Sequence, residues 1–500
     1  MQFLTYRLSW WGTILLSGFS YWATAQTEPD SLYFSIGDSL LEQTINQVVI
    51  TSQTSPTDLS ASVLPVRVIT QAMIAQRGAV RLTEILQQEP NIRIERDPVL
   101  GSSISMNGLS GKHINIMIDG VPMIGRSGGN IDLDRIPVQN IVRIEIIENA
   151  MSVAYGTNAL GGTINIITQK AALDSKPHLE TTLMGQTQSN GQHDASILFS
   201  WEHLGISLRA GYQYNQFQGW SADTLRNLAW NPKQQHQPFA RLYYQLPETD
   251  IRIGYHFDYL EENIQQLGVL QIPRFPNLSY AKDYEFVTKP QDHSVRVLGN
   301  LDQKTRYYLR GTVGFNQFQR EKNAYFQPLA ENPDPVKLDS LDSDTTTFGG
   351  FMARWQIASS YHKKLDFTAG VDLRYDYTTG ARIENELGVL GDYALFGTLQ
   401  YRPIRALTLH AGGRIAYNTL APAPPFTYSL GLKWSPLNGM YIRASYTRGI
   451  RTPDLKELYL DFVDINHFIK GNPNLRPEYA HNLRLSWSYS FAKGERLFNT

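Results

Sequence analysis

Along most of this chain apolar and polar side chains take turns with a period of two. Over 365–377, Leu365, Phe367, Ala369, Val371, Leu373, Tyr375 and Tyr377 fall on one side, and Asp366, Thr368, Gly370, Asp372, Arg374 and Asp376 on the other. Successive side chains of a strand point to opposite faces, so this is a strand with one apolar and one polar face. The same alternation recurs at 251–259, 307–315, 407–417, 428–434 and 483–491, with turn-like breaks such as Leu246-Pro247-Glu248 and Pro436-Leu437-Asn438-Gly439. About fourteen such windows follow Lys170. Soluble strands usually run about five or six residues, whereas about ten tilted residues cross the ~25 Å apolar band of an outer-membrane barrel. A soluble sandwich, solenoid or propeller also alternates, but the long windows and alternately short and long connections favour a transmembrane antiparallel β-barrel over 171–500. The intervals 216–237, 261–291 and 322–344 are polar and proline-rich and are read as extracellular loops.

Between 65 and 170 the pattern is denser and mixed. A strand is predicted at 66–70, and 81–88 reads as a helical turn or two whose Leu82, Ile85 and Leu86 share a face before Pro90 ends it. Further strands are predicted at 92–96, at 113–118 running into the Asp119-Gly120 turn, and at 141–148, where Val142, Ile144 and Ile146 alternate with Arg143 and Glu145. Gly156, Gly161 and Gly162 precede a strand at 164–168, which implies close backbone approach at a packed surface. This is an α/β domain. Upstream, 26–64 has no sustained period, but Ile45, Val48, Val49, Ile50 and Thr51 form a β-prone cluster with no hairpin partner nearby. Such a segment is either a local strand of the following domain or one that adds to the exposed sheet edge of another protein.

Residues 1–25 read as a secretory signal peptide: Arg7, an apolar stretch over 10–21, then Ala23-Thr24-Ala25 as a cleavage pattern. Lys plus Arg number 45 against 46 Asp plus Glu, which provides no overall positive field for nucleic acid. Mean hydropathy is negative and no apolar run of about 20 residues follows the first thirty, so a bundle of membrane helices is excluded. The 27 Tyr, 21 Phe and 9 Trp suit strands whose rings sit at membrane interfaces. Cysteine is absent, which removes disulfides, thiolate catalysis and Cys-ligated metals.

No catalytic set assembles. Gly125-Arg126-Ser127-Gly128-Gly129 fits G-x-S-x-G, but no helix follows and the glycines imply an open loop rather than a nucleophile elbow. Asp372 and Asp376 are read as lumen-facing groups rather than a glycosidase pair. The expectation is a protein that is not an enzyme.

Several stretches, taken together, resemble the TonB-dependent outer-membrane receptor family. Ser105-Met106-Asn107-Gly108 with Ile116-Met117-Ile118-Asp119-Gly120-Val121-Pro122 resembles the family's arginine-glycine turn and "LIDGVP" strand end. The stretch 141–148, followed by Ala154-Tyr155-Gly156-Thr157-Asn158-Ala159-Leu160-Gly161-Gly162-Thr163-Ile164-Asn165-Ile166-Ile167-Thr168, is similar to its "RIEV…YGSNAIGGVINIIT" signature. Met106-Asn107-Gly108 lacks the usual arginine, and Glu148-Asn149-Ala150 stands where Arg-Gly-Pro is usual. Gly449-Ile450-Arg451-Thr452-Pro453 and Asn472-Pro473-Asn474-Leu475 resemble the paired "FRAP" and "NPDL" boxes, giving Arg451, Pro453, Asn472, Pro473 and Leu475 as family motif positions.

The resemblance implies a 22-stranded barrel with an N-terminal α/β plug over 65–170 in its lumen. It also implies a periplasmic segment over 26–64 whose Ile45 and 48–51 form the TonB box, the strand that pairs with the periplasmic energy transducer TonB. The expected function is import of a scarce metal chelate, a ferric siderophore or haem, from the cell surface to the periplasm. Cobalamin is the alternative cargo, and a passive pore or adhesive barrel the alternative class. No permanently bound cofactor is implied; the partners are TonB, the chelate and outer-membrane lipid, and nucleic acid is not among them. Met123 and Arg126 are candidate ligand contacts. His467 lies between the two boxes, where haem receptors place an axial iron ligand, and neutral imidazole suits that role; His113 is read as structural. The chain stops at the start of another strand, and an open sheet in lipid leaves backbone groups unsatisfied at several kcal/mol each, so the sequence is expected to be part of a longer protein.

Overall fold

The computed structural model describes Val48–Val49, Thr57–Asp58 and 62–499 apart from short gaps at 98, 100, 125–130, 132, 134–135, 137, 169–176, 223–225, 273–278, 302–306, 330–333, 339–341, 362–363, 421–425, 464–467 and 494–495. Residues 1–25, read above as a signal peptide, most of 26–64, Ile45, Ile50, Thr51, Arg126 and His467 lie outside the described residues.

The plug segment is built on a five-stranded sheet in the order Val66–Thr70, Ile141–Ile147, Gly162–Thr168, Ile114–Ile118, Val121–Pro122. Gly162–Thr168 pairs parallel with Ile114–Ile118 and antiparallel with Ile141–Ile147, so both its edges are hydrogen-bonded, and every residue of it is buried. Its Ile164 and Ile166 pack with Leu82, Ile85 and Leu86 of the helix Leu82–Leu86 in one apolar cluster. A second, three-stranded sheet orders Ile92–Asp97, Gly101–Met106 and Leu109–Ser110. Asn107 (φ 54) and Gly108 (φ 79) make the tight reversal between its last two strands, which is what the two residues' tolerance of positive φ permits.

Four expectations are corrected here. The cluster at 45–51 does have a local partner, since Val48 and Val49 pair antiparallel with Asp58 and Thr57. His113 leaves the strand that contains Ile114, because Gly111 (φ 58) opens a 3-10 turn over Gly111–His113 and the His113 ring bonds back to the Ser110 carbonyl at 2.9 Å. The helix Gln71–Gln76, capped by the Thr70 hydroxyl, and the strand Gly101–Met106 are both present without having been expected; the helix is six residues long, too short to show a helical period, and the strand is Ser-rich. Finally, 261–291 and 322–344 are loops only in part. Strands run Glu261–Gln266, Tyr280–Asn300 and Tyr307–Pro328, the last two being 21 and 22 residues long. About ten residues suffice to cross the bilayer, so these strands continue into water, where hydrophobic alternation fades.

Among the described residues from His178 to Asn499 one antiparallel sheet of seventeen strands runs in chain order, with Arg252–Tyr259 and Glu261–Gln266 sharing the same two neighbours. Its polarity is inside out. On Leu365–Gly380, Leu373 and Tyr375 are 43% and 46% exposed while Asp366 is 6% exposed, and Gln237 on Lys233–Gln245 is 1% exposed. Apolar side chains facing outward over a polar interior identify a surface made for lipid. Connections alternate: Leu204-Gly205 and Arg405-Ala406 are short, whereas 218–232 and 452–477 are long, and long connections mark the extracellular edge. Among the described residues the first strand, His178–Gln188, does not pair with the last, Arg496–Asn499, so closure into 22 strands is not seen. No described helix is long and apolar enough to cross a membrane.

Candidate functional site

Plug and barrel wall meet through side chains drawn from strands all along the sheet, which places the plug in the lumen. Near the first strands, Arg81 pairs with Asp194 at 3.3 Å. At the turn that ends Ile114–Ile118, Asp119 accepts from the Thr168 amide (2.9 Å) and hydroxyl (2.6 Å) and pairs with Arg296 at 3.1 Å. His256 Nδ1 stands 3.8 Å from the same carboxylate, and its Nε2 is 2.5 Å from the Tyr243 hydroxyl. Farther round, Arg354 donates to the Ala154 carbonyl and covers the Tyr155 ring at 5.2 Å. Burial pushes the Tyr155 phenol well above its usual pKa, so it stays neutral as a packing and stacking group. Asn149 donates to Ser445 at 2.8 Å, Arg484 pairs with Glu148 at 2.8 Å, and Arg443 donates to the Ser62 carbonyl at 3.1 Å.

A cavity of about 40 Å³ lies where Tyr155, Gly156 and Thr157 face Arg354, Asp372 and Arg414. It holds water-sized space, and Asp372 binds Arg414 at 3.0 Å across its wall.

The extracellular side of the interface is organised by Arg451 at the end of the strand Met440–Arg451. Its guanidinium pairs with Glu457 at 2.9 Å and with Glu478. Glu457 belongs to the helix Leu455–Tyr459, which opens with a capping box: Asp454 accepts from the Glu457 amide and Glu457 from the Asp454 amide, both at 2.9 Å. The plug answers with Lys112, 2.7 Å from Asp454 and 3.3 Å from Glu457, and with His113, whose Nε2 is 2.7 Å from Glu478. Burial acts to raise the Glu457 carboxyl, but Arg451, the Asp454 amide and Lys112 together hold it below the usual carboxylate range. Thr157 completes the junction by accepting from the Thr452 amide at 2.8 Å.

Comparison with known families agrees with this geometry. Residues 58–163 match the "TonB-dependent Receptor Plug Domain" family, and residues 182–499 match "TonB dependent receptor-like, beta-barrel". The chain belongs to the TonB-dependent receptor family. It is accordingly an outer-membrane receptor and not an enzyme. Solved structures share its fold at low identity. A mutant of the ferric enterobactin receptor PfeA from Pseudomonas aeruginosa is 16% identical with a TM-score of 0.68, over 86% of this chain and 69% of that one. The siderophore receptor PirA from Acinetobacter baumannii is 14% identical with a TM-score of 0.66, over 85% and 68%. A double mutant of the Serratia marcescens hemophore receptor HasR is 15% identical with a TM-score of 0.67, over 85% and 69%.

Within this receptor the motif positions divide by role. Arg451 is the hub just described, and Pro453 is buried behind it. Asn472, Pro473 and Leu475 form an exposed turn: the Asn472 side chain accepts from the Asn474 amide at 2.9 Å, and the Asn472 amide donates to the Glu457 carbonyl at 2.9 Å. Met123 is 8% exposed in the plug core, its amide bonded to the Ile116 carbonyl, so it presents no open contact surface. Lys112, Asp454, Glu457 and Glu478 were not singled out from sequence; only the capping signal Asp454-x-x-Glu457 was legible, and it says nothing of the plug. Among the described residues no group of three or more potential metal-ligating side chains occurs.

Proposed function

We propose that this receptor takes up an iron chelate, a ferric siderophore or haem, at the cell surface and delivers it to the periplasm under force transmitted by TonB. The observation that carries this reading is the plug held in the lumen by charged contacts from strands around the sheet, including Asp119–Arg296 and Glu148–Arg484. A passive pore has no use for a bonded stopper, and a ligand cannot pass one without work done on it. The fold is shared with receptors whose names specify ferric enterobactin, siderophores and a hemophore, which supports an iron chelate as cargo.

In this reading Ile45 and 48–51 are the TonB box. Val48 and Val49 make a two-residue ladder with Thr57 and Asp58, and so short a hairpin is marginal by itself, leaving it open to exchange for a partner's strand. Arg126 and His467 are the candidate cargo contacts, His467 being the haem-iron ligand if the cargo is haem. Deletion of 45–51 is the test. Uptake of radio-iron chelate by cells should fall to the level of receptor-free cells while surface binding is retained; uptake that survives the deletion overturns the energised mechanism.

A further inference from the structure

We propose that the passage through this plugged receptor opens at one sector of the seam between plug and wall, the sector faced by Lys233–Gln245, Arg252–Tyr259 and Tyr280–Asn300, and that the turn bearing Asp119 is the latch that closes it. This rests on the reading of the protein as an importer and adds where its cargo crosses.

Two spaces lie on this sector, one on each side of Asp119. The lower holds about 300 Å³ and is lined by Tyr243, Asp250, Arg252, Leu298, Asn300 and Tyr308. Asp250 belongs to the short connection between Lys233–Gln245 and Arg252–Tyr259, and short connections mark the periplasmic edge, so this space lies at the periplasmic end. It is wide enough for several waters and polar enough to hold them. The upper space is small, about 30 Å³, between Ile118, Met123 and Asn140 of the plug and Arg241, Asp258 and Asp292 of the wall. Three strands agree on what separates the two. From the periplasmic end, Tyr280–Asn300 presents Leu298 to the lower space, then Arg296, then Asp292 to the upper. Arg252–Tyr259 presents Arg252, His256 and Asp258 in the same order, and Lys233–Gln245 presents Tyr243 and then Arg241. Alternate residues of a strand share a face at intervals of about 6–7 Å, so the partition is a thin layer of side chains. That layer is the Asp119 carboxylate with Arg296 at 3.1 Å and His256 Nδ1 at 3.8 Å, the Tyr243 hydroxyl standing behind His256.

The latch is placed where it moves without unfolding the plug. Asp119 (φ 51) and Gly120 (φ 86) form the two-residue turn into Val121–Pro122, the edge strand of the five-stranded sheet, which pairs with it through Met117 and Ile118. So short a ladder at a sheet edge is marginal, and turn and edge strand swing aside while Ile141–Ile147 and Gly162–Thr168 stay paired with each other. What holds the turn is polar: the bonds of Asp119 to Thr168 and Arg296, the Asp119 amide donating to the Ile166 carbonyl at 2.8 Å, and the Gly120 amide donating to the Asn165 side chain at 2.9 Å. Moving it parts the buried Arg296 from its carboxylate, a cost that keeps the latch shut until work is done on the plug. Once it has moved, the upper and lower spaces join into one path along the wall that ends at the periplasmic edge. Contacts near the last strands, such as Glu148–Arg484 and Asn149–Ser445, are not on this path and keep the plug tethered while it opens.

The test is the ion current carried by the purified receptor in planar phospholipid bilayers bathed in KCl, with the heat-modifiable gel shift used to select folded barrels. Asp119→Asn should raise the frequency of channel openings by about tenfold or more, and Arg296→Gln, which breaks the same pair from the wall side, should do likewise. The path is then located by a thiol. The chain has no cysteine, so Leu298→Cys placed in the Asp119→Asn receptor is a single reactive site on the lower space. A cationic methanethiosulfonate should block most of the current through it. The same reagent should leave the current unchanged when the cysteine is Thr408→Cys, on the luminal face at the periplasmic end of Leu407–Asn418 and outside the sector. No gain in current from either latch variant, no block at Leu298→Cys, or a block at Thr408→Cys overturns the proposal. The current needs neither TonB nor an iron chelate, so this result and that of deleting 45–51 stand or fall separately.

Discussion

Arg451 shows how a single side chain joins two parts of the chain that sequence reading kept separate. It was legible only as a motif position, yet it is buried between Glu457 and Glu478 and sets the acids that Lys112 and His113 of the plug contact. Its residue type signals an ion pair, but its partners lie 6 and 27 positions away and theirs are in another domain. Glu457 makes this junction pH-dependent. Its folded-state pKa is lowered, so its contribution is fully present above the ordinary glutamate value near ~4.3 and is lost as pH falls through the lower folded value. The loop 455–477 should therefore stay protease-resistant from neutral pH down to about pH 4 and become cleavable below it. Glu457→Gln should raise cleavage at neutral pH and flatten the change near pH 4, leaving only the loss at still lower pH that comes from Glu478, which Arg451 and His113 hold down to about 2, measured by limited proteolysis across a pH series.

At the scale of elements, the period-two windows located most membrane strands because lipid and lumen impose opposite polarity on alternate residues. They failed where the same strands rise above the bilayer, since water on both faces removes the signal; hence the polar upper ends of Tyr280–Asn300 and Tyr307–Pro328 read as loops. In the plug, strands with branched apolar runs were legible and the Ser-rich Gly101–Met106 was not. The glycines at 161 and 162 were expected to mark close approach, and Gly162 does so. It has φ +132, and a Cβ there would come within 2.3 Å of Met106 Cε and 2.4 Å of the Ile147 carbonyl. Gly162→Ala should destabilise the plug by about 1–3 kcal/mol through overpacking and backbone strain. The expected result is a lower urea midpoint for protease cleavage inside the plug.

For the whole molecule, the plug and the sheet from Gln47 onward form a single contact unit, and the lock between them is electrostatic at several separate points. Asp119 is the clearest of these, because one carboxylate ties the plug strand end at Thr168 to Arg296 of the wall. Asp119→Asn keeps the shape and removes the charge, leaving Arg296 and His256 facing a neutral amide. It should loosen the plug by about 1–3 kcal/mol. Urea-induced cleavage of the plug should begin at lower concentration in this variant, while the heat-modifiable gel shift of the barrel stays unchanged.

The order of hydrophobic and polar residues alone determined that this chain makes lipid-facing strands after a compact α/β segment, because each strand's face is a local property of alternate positions. Which charges meet was decided only by the tertiary structure. Arg296 with Asp119, Arg484 with Glu148, and Lys112 with Asp454 and Glu457 are brought together by the wrapping of the sheet around the plug and by the register of long strands. Coulomb partners separated by tens or hundreds of residues leave no periodicity in the sequence, so the lock is readable only in three dimensions.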